Sequence, residues 1–314
     1  MTMIAALVST ALLFASPQAA PQTPVDAGAP AELDAIIVEG RRIEEAARSY
    51  IEEVGEPPRG TRLARWNQPV CISMTNMQPR FAQFVIDRIA ANALDAGADV
   101  GGPDCKPNVI ILATTDGPAL AKKLVKEVGL GFRPAINHTN LSRDALADFQ
   151  NSDAPVRWWN VTMPVTTDTG ELAITLRGDD PQQVVVRDGS RLRSNVRYDM
   201  AWTIVIVDMS RTNGAPFGVL ADYVSMVSLA QIDPSADLSA QSTVMNLFNT
   251  PGEIDGLSQW DKDYLAALYS APTDRFSAEQ QENGVLHSMA RRQQERDRAD
   301  EAPVSDQASG DTPQ

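Results

Sequence analysis

Two uninterrupted apolar runs constrain this chain most. NVIILAT at 108–114 and AWTIVIVDM at 201–209 are rich in β-branched residues and too short for stable helices, so they read as buried strands. RWNQPVCISM (65–74), RWWNVTMPV (157–165), ELAITL (171–176) and QQVVVRD (182–188) read as further strands, and DAIIVEGRR (34–42) as a short strand-like run. Between them the period changes to that of helices. Residues 79–96 carry an apolar face of Phe81, Phe84, Val85, Ile89 and Leu94, with Gly97 as a stop. Residues 43–53, 117–129, 217–230 and 257–269 are also predicted helices, and Ser142 can cap a short one through Phe149. Ser258 is an N-cap candidate, as is Ser277 with Gln280 three residues on. The order is strand, helix, strand, helix, several strands, then helices. That pattern predicts an α+β fold with a mixed sheet in one main domain, not a regular βαβ array.

With 314 residues and 43% hydrophobic content, the chain can bury a sizeable core. Its net charge of −14 argues against nucleic acid as a partner. Residues 1–60 carry −5 and residues 290–314 carry −2, so the central body holds only half of that charge.

The ends read differently from the body. Residues 4–15, IAALVSTALLFA, are shorter than the roughly 20 residues a membrane-spanning helix needs. Small residues follow, which gives a signal peptide over 1–20 and a periplasmic or secreted bacterial protein with no integral span after its removal. Residues 21–60 read as a linker and a short helix, 61–272 as the main domain, 273–298 as a C-terminal helix and 299–314 as a disordered tail. From Arg291 onward no apolar residue is larger than Val304, so ordering there is unsupported by burial.

In an exported chain, Cys71 and Cys105 are expected to form a structural disulfide. The loop it closes would contribute roughly 3–4 kcal/mol through chain entropy.

Little in the sequence carries recognisable chemistry. There is no Walker loop and no Gly-x-Ser-x-Gly elbow, and the two histidines, His138 and His287, lie too far apart for a local zinc pair. His138 sits in a turn-like Asn-His-Thr-Asn and His287 on the exposed C-terminal helix. Asp179 and Asp180 read as turn residues, and adjacent Trp158 and Trp159 point to opposite faces of a strand, one into the core and the other into core or a groove.

The C-terminal third has a more specific layout. A hydrophobic strand precedes a helix, a loop, Ser-Thr-Val-Met-Asn-Leu-Phe at 242–248, Leu-Ser-Gln-Trp-Asp at 257–261 and Tyr-Leu-Ala-Ala-Leu-Tyr at 264–269. This resembles the zincin metallopeptidases, in which a His-Glu-x-x-His helix is followed by a methionine turn and a closing helix. The spacing from Asp261 to Leu268 and Tyr269 fits that closing helix. The chain is especially similar to a family of secreted bacterial zincin-like proteins of uncharacterised activity. Arg65, Trp66, Pro69 and Val70 match its Arg-Trp-x-x-Pro-Val, and Asn108 and Val109 its Asn-Val strand. The resemblance covers about residues 61–270 and implies a zincin-like fold.

The departure from that pattern bears on activity. Placing the metallopeptidase helix on 217–230 puts Asp222, Tyr223 and Met226 at the His, Glu and second His positions. Asp222 and Met226 share a helix face, while Leu220, Val224 and Val227 are expected to pack on the sheet. A thioether beside one carboxylate is a poor zinc site, activated water needs about three protein ligands, and tyrosine is no base at neutral pH. The expectation is a zincin-like fold with no metal, no cofactor and no peptidase activity, binding a peptide or envelope partner. Three alternatives stay open: a hydrolase of another class using Asp222, Ser225 or a remote carboxylate, a residual metallopeptidase-like enzyme, and an assembly role through the C-terminal helix and tail.

Overall fold

A computed structural model describes residues 30–301 except Glu56, Arg59, Asn137, His138, Gln182, Asp188, Ser190 and Pro251. The expected signal peptide, most of the tail beyond Glu301 and the turn histidine His138 therefore lie outside the described residues. The fold is of the α+β class, with eight helices and a four-stranded mixed sheet in the described chain.

The strands are β1 (Ile72–Thr75), β2 (Val109–Thr114), β3 (Val156–Thr166) and β4 (Val196–Asp208), in the order β1-β2-β4-β3. β1, β2 and β4 run parallel, and β3 closes one edge antiparallel to β4. The register pairs Ile72 with Val109, Val109 with Thr203 and Trp158 with Val205. Because side chains alternate across a strand, β4 sends Val205 and Val207 to one face and Ile204 and Ile206 to the other. The first face joins Val109, Ile111 and Trp158 in the larger core, and the second joins Trp159, Val161 and Phe132 in the smaller one. Both tryptophans are therefore buried in the core, on opposite faces of the sheet. Trp158 Nε1 donates to the Ile232 carbonyl and Trp159 Nε1 to that of Phe132.

The helices are α1 (Pro30–Val54), α2 (Pro79–Ala96), α3 (Gly117–Glu127), α4 (Gly129–Phe132), α5 (Arg143–Asn151), α6 (Phe217–Leu229), α7 (Gln259–Ser270) and α8 (Ala278–Glu301). Helix starts follow local chemistry. The Ser142 side chain accepts from Ala145 N at α5, and Ser258 and Asp261 form a reciprocal capping box at α7. Ser277 accepts from Gln280 N at the start of α8. Gly97 ends α2 with φ +92°, a left-handed conformation glycine adopts without steric cost.

The structure corrects several expectations. Residues 34–42 are helical and belong to α1. Residues 171–176 form only one bridge, Leu172 to Val165, and no strand occupies the described residues of 182–188. β3 is an edge strand, and 171–176 touches its outer side only through the Leu172–Val165 bridge, so propensity alone does not make a strand there. Gly129 does not end α3 but opens α4, which delivers Phe132 into the smaller core. The buried stripe of α2 is Ala82, Val85, Ile89, Ala93 and Ala96, whereas Phe81, Phe84 and Leu94 are exposed. Its alanines let the helix approach α6 closely, and Phe81 and Phe84 pack sideways on Phe217.

α8 runs to Glu301. Val285, Leu286, Met289 and Ala290 anchor it in the larger core, and Arg296 fastens the polar portion to Asp263 on α7. The expected disulfide is present: Cys71 and Cys105 are bonded with Cα atoms 5.9 Å apart, tying the start of β1 to the loop before β2. Among the described residues, no helix is long and apolar enough to cross a membrane.

Candidate functional site

α6 is apolar almost all round and is buried along its length. Asp222 is its only charged residue, with 1% of its surface exposed. A carboxylate in that position requires compensation, and α2 supplies it. Arg88 donates from Nε to Asp222 Oδ1 at 2.6 Å and from Nη2 to Oδ2 at 2.8 Å. Asn92, one turn further along α2, donates to Oδ1 at 2.8 Å and to Ser225 Oγ at 2.9 Å. The bidentate geometry uses both carboxylate oxygens. It raises the Arg88 pKa above its ordinary value, chiefly through the hydrogen bond to Asp222.

Beside this pair lies a cleft of about 360 Å³, lined among others by Arg88, Asn92, Asp222, Glu253, Ser258 and Lys262. The loop before α7 covers Asp222 with Gly256. A Cβ at Gly256 would sit 2.6 Å from Asp222 Oδ2, and its φ of +148° favours glycine.

The far wall depends on a second buried aspartate. Asp261 Oδ1 accepts from the Tyr50 hydroxyl at 2.5 Å and from Thr243 Oγ1 at 2.6 Å. Its Oδ2 accepts from the backbone N–H groups of Val244 and Ser258, both at 2.8 Å. One side chain thus ties α1, the 3-10 turn at Val244–Phe248 and the cap of α7. Burial pushes its carboxyl above the usual aspartate range, against the four hydrogen bonds.

The three positions singled out on α6 diverge. Asp222 reaches the cleft, while Met226 is fully buried in the larger core. Tyr223 packs between Trp158 and Phe248, with ring centroids 6.1 and 5.2 Å away, and burial holds its hydroxyl well above the usual tyrosine range. This donor set does not fit a zinc ion: one carboxylate is already saturated by a guanidinium, and its two companions face the core. Among the described residues, no group of three or more His, Cys, Asp or Glu side chains is placed to hold a metal.

Nor does Ser225 have a base. Its hydroxyl donates to the Ala221 carbonyl at 2.9 Å and accepts from an amide. His287 is exposed, with Glu44 its nearest carboxylate at 3.9 Å.

The residues that carry the family resemblance are structural pins. Arg65 Nη1 donates to the carbonyls of Leu268, Tyr269 and Ala271, capping the C-terminus of α7. Trp66 Nε1 donates to the Ser228 carbonyl and the Tyr269 hydroxyl to that of Leu229, holding the end of α6. Asn108 accepts from Cys71 N and donates to the Pro69 carbonyl. Sequence reasoning missed Arg88 and Asn92. Their signal was a pair of polar residues four apart, flanking the buried stripe of α2.

No protein-family model, curated protein or solved structure matches this chain.

Proposed function

We propose that this is an exported, non-catalytic protein with a zincin-like fold, whose cleft beside Asp222 binds a peptide or an envelope partner. The observation that carries the reading is the state of Asp222: at the position of a metallopeptidase ligand, its carboxylate is consumed by Arg88 and Asn92 inside an open cleft. The order β4, α6, 3-10 turn, α7 supports the zincin-like reading, with Asp261 at the foot of the closing helix. The disulfide supports an oxidising compartment. The hydrolase alternative has no nucleophile–base pair to favour it. The assembly alternative loses its free helix, since α8 is built into the core.

The test combines metal analysis with site-directed cross-linking. The purified chain is expected to carry no stoichiometric zinc and to leave casein intact. A photo-cross-linker in place of Glu253, on the cleft, is expected to capture a partner that the same group in place of exposed Lys122 does not. Stoichiometric zinc together with casein hydrolysis lost in Asp222→Asn would overturn the proposal.

A further inference from the structure

A second cavity, of about 370 Å³, lies on the other side of Asn92, Leu257 and Lys262, which both cavities share. It is framed by α2, α7 and α8, and its charges run against those of the chain. The protein carries −14 overall, yet this cavity gathers Lys262, Arg292 and Arg296 against Asp95 and Asp263. Asp263 is spent. It is buried, receives two hydrogen bonds from Arg296, and accepts a third from Gln259. Asp95 sits exposed on the rim and forms no ion pair among the described residues.

Lys262 and Arg292 are left over. Neither side chain makes a hydrogen bond or ion pair among the described residues, and both line the cavity. Two cationic side chains without a protein partner at one cavity can be matched by an anionic ligand group. The guanidinium fork suits a planar or tetrahedral oxyanion, and the lysine adds a point charge beside it. The volume is that of an ordinary small-ligand site.

We propose that this cavity is an oxyanion site in which Arg292 and Lys262 bind a carboxylate or phosphate group. The site adjoins the Asp222 cleft and shares Lys262 with it, whereas Arg292 lines this cavity and not the cleft.

Calorimetric titration of the full chain with inorganic phosphate and with succinate, at constant ionic strength and with chloride as control, tests this. Saturable binding of at least one anion is expected, and the tighter of the two names the oxyanion class. Lys262→Met and Arg292→Gln are each expected to weaken it by about tenfold or more, while Arg298→Gln leaves it unchanged. Lys262 is exposed, so its variant keeps the test valid if Arg292→Gln does not fold. No saturable binding of either anion, or equal affinity in wild type and Lys262→Met, would overturn the proposal.

Discussion

Two buried aspartates about forty residues apart in the chain solve the same problem in different ways. Asp222 is neutralised by a guanidinium from another helix, at the edge of a cleft. Asp261 receives only neutral donors, four of them, deep between α1, the 3-10 turn and α7. A charge pair can be broken on one side and leave the other partner in water, because half of the Arg88 side chain is exposed. A hydrogen-bonded hub cannot, since each of its donors has nowhere else to turn. The first arrangement belongs to a surface feature and the second to the architecture that shapes it.

Removing the hub should therefore cost most. Asp261→Ala orphans two hydroxyls and two backbone N–H groups, and is expected to lower unfolding free energy in urea by about 4 kcal/mol. Asp261→Asn, which retains an acceptor, should lose clearly less. Equal losses would mean that packing, not hydrogen bonding, holds this region.

The cleft cover comes next. Gly256→Ala places a methyl against Asp222 Oδ2 at an unfavourable φ, and is expected to cost about 2 kcal/mol in the same assay. Asp222→Asn should cost less, about 1–2 kcal/mol, because the partner it releases, Arg88, is half exposed and returns to water. A loss as large as that of Asp261→Ala would erase the distinction between the two sites.

The smallest expected effect concerns pH. Burial raises the Asp261 pKa above its unfolded value of about 3.9. A raised carboxyl favours the folded state while protonated. Its contribution is therefore fully present below about pH 4 and is lost as pH rises through the folded pKa. Wild-type stability relative to Asp261→Asn should fall across that window and then level off. A difference that grows with pH would reverse the assignment. Urea midpoints of both proteins between pH 3 and 8 measure it (a span of about five units around the reference value).

How far each site was legible follows from the range of its contacts. Ser258 was legible as an N-cap because the cap is local, whereas its reciprocal partner Asp261 came from the structure. Tyr50, which completes the hub, lies 211 residues away and left no mark. Arg88 and Asp222 are 134 residues apart, and their pairing needed α2 to turn its alanine stripe toward α6. On α2 the sequence reading placed Val85 and Ile89 correctly but drew Phe81, Phe84 and Leu94 into the face instead of the alanines, because apolar size says nothing about how closely two helices must approach.

The residues alone determined the strands at 109–114 and within 201–209, the caps at Ser142 and Ser258, the split of Trp158 from Trp159, and the pairing of the only two cysteines. Each rests on periodicity, a local hydrogen bond or a count. Tertiary structure decided that 34–42 is helix, that 171–176 is not a strand, and that of three residues on α6 only Asp222 meets the cleft. These outcomes turn on which partner surface is free, and burial and sheet pairing across the chain outweigh the few tenths of a kcal/mol by which local propensity differs.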